Sequence, residues 1–288
     1  MLPVERLRQR LRTGQALIAP GAFDALSARV IEDAGFEVVY ATGAGIANTQ
    51  LGWPDVGLLT FAEMLDQIRK IVRATNLPVI ADADTGFGNP LNVIRTVNEY
   101  IEAGVAAIQI EDQVMPKRCG HFAGKSVVPR EEAILRIRAA VEAADGRAMI
   151  IARTDARAVH GLEEALARAE AFHAEGAEIL FVEAPRTIDE LRQVGALPGY
   201  QVANMVEGGL TPLVDLDEAQ SMGFSILLQA NCTMRAAVQG MKEVLAHLME
   251  HGGTQGVLDR MISMQERNRL TRMDKIREWE TRYGGNEA

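Results

Sequence analysis

Ala106-Ala107-Ile108-Gln109-Ile110-Glu111-Asp112 runs directly into Gln113-Val114-Met115-Pro116-Lys117-Arg118-Cys119-Gly120-His121. The first half of this stretch decides the fold. A short, mostly apolar β-type run stops abruptly in two carboxylates, and the same arrangement recurs along the chain. Such runs lie at Ala16–Ala19, Val38–Ala41, Pro78–Ala81, Ala106–Ile110, Ala148–Ala152, Ile179–Val182, Gln201–Ala203 and Ser225–Leu228. Helical periodicity fills the intervals, for example at Phe61–Thr75, Pro90–Ala103, Arg130–Ala144, Leu162–Glu175 and Thr187–Val194. Several helices end in a glycine-bearing turn, as in Ala103-Gly104 and Glu175-Gly176, where a left-handed cap turns the chain back. Strands that alternate with helices pair in parallel through right-handed crossovers. Eight of them predict an α/β chain folded as a closed (β/α)₈ TIM-type barrel rather than an open sheet. The polar residues support this. Tyr40-Ala41-Thr42-Gly43, Asp82-Ala83-Asp84, Glu111-Asp112, Arg153-Thr154-Asp155, Glu183 and Asn204 each follow a strand, at the barrel end where active sites of this fold are built.

A length of 288 residues suits one such barrel with extensions. Residues 1–288 therefore read as a single barrel domain, with a helical extension from about 233 to 288. Two helical segments follow the last strand, Thr233–His251 and Gly256–Tyr283. The second spaces Leu258, Met261, Ile262, Met264, Leu270, Met273, Ile276 and Trp279 among many charges. It is either a solvated helix or one that reaches onto a neighbouring subunit. The chain carries 39 acidic and 30 basic side chains, a net charge of −9, which argues against a nucleic-acid or anionic-membrane partner. An anionic substrate held by a few local cations is compatible with that balance. Two cysteines, Cys119 and Cys232, are too few for a disulfide framework and predict a reducing cytoplasm. Met1 to Arg12 reads as a short amphipathic helix rather than a signal peptide, and no apolar run approaches the ~20 residues of a membrane span.

Three constellations carry chemistry. Asp82 and Asp84 point to the same side of a strand end and precede the flexible Thr85-Gly86-Phe87-Gly88, a pattern that suits a hard cation such as Mg²⁺. Glu111 and Asp112 end the next strand and could complete the shell, some of these acids acting through water. A helix cap or surface acid is the competing reading, best suited to Asp84. Tyr40-Ala41-Thr42-Gly43-Ala44-Gly45 forms a small turn whose backbone N–H groups and Thr42 hydroxyl can hold a carboxylate. Arg153 reads as a second anion anchor, as an ion-pair partner of Glu183, or as both. In the third constellation, Lys117, Arg118 and His121 surround Cys119, and cations beside a thiol stabilise its ionised form. His160, His173, His247 and His251 have no metal-ligand company, and Cys232 reads as a small buried residue.

With these residues the chain resembles the isocitrate lyase and phosphoenolpyruvate mutase superfamily over nearly its whole length, from Ala19-Pro20-Gly21-Ala22 to the final helices. Lys117-Arg118-Cys119-Gly120-His121 resembles the catalytic loop of the carbon–carbon lyase branch, which includes methylisocitrate lyase and 2,3-dimethylmalate lyase. Leu51-Gly52-Trp53-Pro54-Asp55, Asp82-Ala83-Asp84-Thr85-Gly86-Phe87-Gly88, Ala152-Arg153-Thr154-Asp155 and Asn204-Met205-Val206-Glu207-Gly208-Gly209-Leu210-Thr211-Pro212 match as well. The resemblance implies a barrel whose last helix is swapped between subunits, in a homotetramer. It also implies a Mg²⁺ site, Mn²⁺ being the alternative ion, at Asp82 with Asp55, Asp84 and Glu111 nearby. Thr42, Gly43 and Ala44 would hold the α-keto acid half of a small carboxylate substrate. Arg153, Glu183, Asn204, Glu207, Thr211 and Pro212 would line the rest of the pocket.

The reaction implied is cleavage of a 2-hydroxy di- or tricarboxylate of the 2,3-dimethylmalate or 2-methylisocitrate type. Lys117, Arg118 and Arg153 would stabilise the departing enolate, Cys119 would protonate it with His121 and Glu183 tuning the thiol, and Tyr40 would act as base. An oxaloacetate decarboxylase or hydrolase, or a carboxyphosphonoenolpyruvate mutase, is the alternative on the same scaffold. Three positions depart from the family pattern: Thr42 in place of a usual Ser, Trp53 in place of a typical Leu, and Leu228-Gln229-Ala230-Asn231 where lyases commonly carry Tyr-Pro and then Ser.

Overall fold

The computed structural model describes residues 1–120 and 124–284. The eight strands are β1 (Leu17–Ala22), β2 (Val39–Ala41), β3 (Val79–Asp82), β4 (Ala107–Glu111), β5 (Met149–Thr154), β6 (Ile179–Val182), β7 (Tyr200–Asn204) and β8 (Ile226–Gln229). They pair in parallel in sequence order and close into a barrel, β1 returning to β8 with Leu17 opposite Ile226 and Ala19 opposite Leu228. The expected strands are all present, most displaced by one or two residues. The main difference is that β1 starts at Leu17 and continues through Gly21 to Ala22.

The helices follow from sequence in ordinary ways. Helix α1 (Pro3–Leu11) buries Val4, Leu7 and Leu11 in one cluster with Leu17, Val38 and Ala106, which sit at or just before strand starts. It therefore closes the N-terminal end of the barrel with a greasy plug. Next come α2 (Ala25–Asp33), α3 (Gly43–Leu51), α4 (Phe61–Ala74), α5 (Pro90–Ala103) and α6 (Arg130–Ala144). After β5 lie α7 (Ala156–Val159), α8 (Leu162–Ala174), α9 (Ile188–Gly195) and α10 (Leu216–Ser221). The larger apolar cluster, from Ala22 through Ile68, Val97, Ile137 and Phe172 to Leu227, unites strands and surrounding helices. Gly104 ends α5 at φ 94°, a conformation that only glycine adopts without strain, and this lets the chain enter β4 at once.

Two local expectations change. The segment after β2 is the first turn of α3 rather than a free turn. Thr42 caps it, its hydroxyl accepting from Gly45 N at 3.3 Å. The expected long helix Gly256–Tyr283 is broken into a 3₁₀ turn at Leu258–Arg260 and two helices. Ser263 caps a new helix start, and Arg272 at φ 57° interrupts the ladder.

The chain divides into two compact units, Met1–Cys232 and the residues from Thr233 onward. The first holds the whole barrel. The second contains most of α11 (Cys232–His251), then α12 (Met264–Leu270) and α13 (Met273–Tyr283). Among the described residues no helix is long and apolar enough to cross a membrane.

Candidate active site

Parallel strands deliver their last residues to one end of the barrel, and there Tyr40, Asp82, Glu111, Arg153, Glu183 and Asn204 meet around one pocket. Thr42 and Ala44 enter from the start of α3. Asp55, Lys117, Arg118 and Cys119 enter from the loops after β2 and β4. The remaining wall is Val206, Leu228, Ala230 and Asn231, less polar than the floor.

The floor is crowded with buried carboxylates. Asp82 Oδ1 accepts from Asp84 N at 3.1 Å and from Gln109 Nε2 at 3.3 Å. Burial first, and the neighbouring Asp84 charge second, push the Asp82 carboxyl up to about 6. Glu111 is held well above the usual carboxylate range by burial, although Arg153 and Lys117 oppose this, and its Oε1 has no hydrogen-bond partner. Asp55 is raised by burial as well, against the pull of Lys117. Lys117 Nζ sits between Asp55, at 2.6 Å, and Asp84, at 2.7 Å. Burial alone would lower this ammonium, but Asp84, Asp55 and Glu111 together raise it well above its ordinary value.

The expected metal site shares its acids with Lys117. Among the described residues no three His, Cys, Asp or Glu side chains are arranged to close on an ion, and Lys117 lies against two of the four carboxylates expected there. Mg²⁺ takes only one or two carboxylates directly and keeps several waters, so a closed protein cage is not required. The donor set is all oxygen, Glu111 Oε1 is an orphaned carboxylate oxygen, and burial raises the carboxyls of Asp82 and Glu111, so a bound cation would stabilise their ionised forms. These residues fit Mg²⁺, with Asp82 and Glu111 as the acids not engaged by Lys117. Asp112 does not belong to the set. Its oxygens accept from Thr154 Oγ1 at 2.6 Å, Asp155 N at 2.9 Å and Arg168 Nη1 at 3.0 Å, away from the pocket.

Arg153 is an ion-pair hub. Nη2 lies 3.0 Å from Glu183, Nε lies 3.3 Å from Glu111, and Nε and Nη2 donate to Asp155 at 3.0 and 3.2 Å. Its guanidinium also covers the Phe181 ring at 5.0 Å. Burial works to raise the Asp155 carboxyl, yet Arg153 and Lys125 draw it down to about 2. Glu183 accepts from Asn204 Nδ2 at 3.3–3.4 Å, so these two pocket residues hold each other. The turn at Thr42-Gly43 abuts the floor: a Cβ on Gly43 would stand 2.7 Å from Asp82 Oδ2.

Several expected residues are placed otherwise. Tyr40 is fully buried, donates to Gln109 Oε1 at 3.0 Å, and is raised well above its ordinary value by burial and then by Asp82. A phenol held this firmly in its neutral form is a poor base. Glu207 is exposed, and neither it nor the buried Thr211 and half-buried Pro212 is among the pocket residues. Trp53 is 63% exposed and is also absent from the wall. Cys232 is half-buried rather than buried, and His121 lies outside the described residues. Sequence reasoning missed Gln109, Val206 and the buried Lys125. The departure of Leu228-Gln229-Ala230-Asn231 from the family pattern was the available signal for the wall, since Leu228, Ala230 and Asn231 all face the pocket.

Residues 7–249 match the phosphoenolpyruvate phosphomutase family. The chain is 46% identical to 2,3-dimethylmalate lyase of Eubacterium barkeri over 280 residues, covering 96% of this chain and 97% of that one. It is 41% identical to 2-methylisocitrate lyase of Aeropyrum pernix over 269 residues, covering 92% and 87%. Among solved structures, oxaloacetate acetylhydrolase in complex with 3,3-difluorooxalacetate superposes with a TM-score of 0.94 at 37% identity, covering 99% and 98%. A 2,3-dimethylmalate lyase gives 0.92 at 38%, covering 99% and 96%. A phosphonopyruvate hydrolase complex with oxalate and Mg²⁺ gives 0.87 at 32%, covering 98% and 99%. With its barrel closed and its acids gathered at the strand ends, this chain belongs to the phosphoenolpyruvate mutase/isocitrate lyase superfamily of enzymes.

Proposed function

We propose that this chain is a Mg²⁺-dependent carbon–carbon lyase that cleaves a 2-hydroxy di- or tricarboxylate of the 2,3-dimethylmalate or 2-methylisocitrate type. The observation that carries the reading is Cys119 at the same pocket as Asp82, Glu111 and Arg153. The pyruvate enolate left by decarboxylation of oxaloacetate can take its carbon proton from solvent, whereas the more basic enolate of a simple carboxylic acid released by a lyase calls for an acid placed at that carbon. Similarity to 2,3-dimethylmalate lyase over nearly the full length of both chains supports the same reading.

The first turn of α3 offers the Thr42 hydroxyl and backbone N–H groups to the 2-hydroxycarboxylate end. Asp82 and Glu111 would hold Mg²⁺, which would supply Lewis-acid positive charge to an anionic oxygen substrate. As the 2-hydroxyl passes its proton to a water molecule in the pocket, the C2–C3 bond breaks. The oxygen pair becomes the carbonyl of an α-keto acid, and the bonding pair passes to C3 as the enolate of the second acid. Lys117, Arg118 and Arg153 stabilise that charge. Cys119 Sγ then gives its proton to C3, a C–H bond forming as S–H breaks, and the thiolate regains a proton from water. Glu183, fixed by Arg153 and Asn204, would tune the thiol.

The test is keto-acid release from 2,3-dimethylmalate, 2-methylisocitrate and oxaloacetate, followed by mass spectrometry with Mg²⁺ and with EDTA. EDTA-sensitive cleavage of a substituted malate is expected, falling about 10²–10⁴-fold in Cys119→Ala. Near-wild-type cleavage by Cys119→Ala would sink the assignment. A second reading, hydrolytic cleavage of oxaloacetate, is favoured by the superposition on oxaloacetate acetylhydrolase, and turnover of oxaloacetate alone would select it. The same lyase reading carries a tetramer with exchanged last helices. It is supported by α11 and α13, which bury no residue while exposing Met241, Leu245 and Trp279. A solution mass of one chain by light scattering would exclude that assembly.

A further inference from the structure

The three residues Arg118-Cys119-Gly120 are each gripped through the backbone by a group outside the tripeptide. Gln113 presents its whole carboxamide to Arg118: Arg118 N donates to Gln113 Oε1 at 2.9 Å, and Gln113 Nε2 donates to the Arg118 carbonyl at 2.8 Å. Cys119 N donates to the Asp55 carbonyl at 3.1 Å. Lys125 Nζ donates to the Gly120 carbonyl at 2.5 Å and to Asp155 Oδ1 at 2.7 Å. Gln113 is 1% exposed and the Lys125 side chain 3%.

Such grips have a physical cost that a surface loop has no need to incur. A buried ammonium loses its hydration, and only charge-assisted partners offset that loss. Lys125 has two, and one of them, Asp155, is paired with Arg153 as well. The Gly120 carbonyl is thereby tied through Lys125 and Asp155 to the guanidinium at the pocket floor. Gly120 also lies hard against the floor itself, since a Cβ there would stand 2.5 Å from Glu183 Oε2 and 2.6 Å from Arg153 Nη2. A carboxamide that supplies donor and acceptor to one residue's backbone replaces two strand hydrogen bonds and fixes that residue's orientation. Neither Gln113 nor Lys125 is among the residues lining the pocket.

We propose that Gln113 and Lys125 are positioning residues that clamp Arg118-Cys119-Gly120 against the Arg153–Glu183 pair, so that the Cys119 thiol meets the substrate carbon in one fixed place. The inference rests on Cys119 as the carbon acid. It predicts an effect on turnover rather than on substrate binding, because a displacement of about 1 Å in a reacting group costs on the order of 10²-fold in rate.

The experiment measures kcat and KM on 2,3-dimethylmalate with Mg²⁺ for Gln113→Leu, Lys125→Met, Lys125→Arg and Cys119→Ser, and for Gln113→Leu combined with Cys119→Ser. In parallel, iodoacetamide labelling of Cys119 and Cys232 is followed by peptide mass spectrometry. For Gln113→Leu and Lys125→Met, kcat is expected to fall about 10²-fold with KM within about threefold. Lys125→Arg should recover at least about tenfold of the Lys125→Met loss, because a cation remains beside Asp155. In the Cys119→Ser background, Gln113→Leu should cost less than about threefold more, since the two residues act as a unit. Cys119 labelling should accelerate relative to Cys232, whereas general loosening would speed both. Should Gln113→Leu fail to fold, Gln113→Glu keeps the Arg118 N contact, loses the other, and carries both readouts. Equal loss in both backgrounds, or an unchanged Cys119-to-Cys232 labelling ratio, overturns the clamp. Near-wild-type turnover by Cys119→Ser fails the acid assignment instead, and the labelling ratio still decides whether the clamp exists.

Discussion

Asp82→Asn should make the metal-free enzyme more stable while abolishing its activity. The folded state holds the Asp82 carboxyl at about 6, against an ordinary value of 3.8. Each pKa unit is worth about 1.4 kcal/mol, so ionised Asp82 costs the fold about 3 kcal/mol at pH 8. The folded state binds this proton more tightly than the unfolded chain does. The Asp82 contribution to stability is therefore highest below about pH 4, falls as pH rises through the window from about 4 to 6, and is flat above it. An Asn at this position does not titrate, and its carbonyl oxygen keeps the acceptor role toward Asp84 N and Gln109 Nε2. At about 2 °C per kcal/mol for a chain of this size, the variant should melt roughly 4–8 °C above wild type at pH 8 in EDTA. That gain should shrink to about a third at pH 4.5. Excess Mg²⁺ should raise the wild-type melting temperature by mass action and leave the variant's unchanged. Thermal melts at the two pH values, with EDTA and with Mg²⁺, test all of this. A variant that melts below wild type at pH 8 in EDTA would refute the reasoning, as would a gain equal at both pH values.

Gly120→Ala places its Cβ against Glu183 and Arg153, so the segment bearing Cys119 must back away; kcat should fall about 10²-fold, and a value within threefold of wild type would contradict the close approach. Gly21→Ala acts on stability instead. Its Cβ would stand 1.8 Å from the Ala230 carbonyl oxygen, which is backbone and cannot swing aside. Urea denaturation should show a loss of about 3 kcal/mol, and a loss under about 1 kcal/mol would mean that the β1–β8 joint yields easily.

The legible part of this protein is the part set by near neighbours in the chain. Pro78 to Ala81 and Ile179 to Val182 are apolar, short and bounded by turns, so they could be read as strands before any fold was known. Acids and an arginine immediately after such runs could be placed at one barrel end, because parallel strands point the same way. The start of α3 was harder to recognise. Thr42-Gly43-Ala44-Gly45 is poor in helix formers, and its helix is secured by the Thr42 cap and by packing of Ile46 and Ala47. The long C-terminal helix failed in the opposite sense: a continuous charged periodicity conceals the left-handed Arg272, which no residue type announces.

By itself, then, the sequence determined the strand count and the closed α/β barrel. It also determined the superfamily and the gathering of Asp82, Glu111, Arg153, Glu183 and Cys119 at one end. How those charges are shared follows from the closed barrel alone. It turned Asp112 toward Arg168, spent Lys117 on Asp55 and Asp84, kept Tyr40 a neutral phenol, and brought Gln113 and Lys125 to the backbone around Cys119. The reason is physical. Strand order and hydrophobic period are local properties that a chain displays in one dimension, whereas the partner of a buried charge is whichever group the closed barrel brings within about 3 Å, from a residue 56 or 62 positions away.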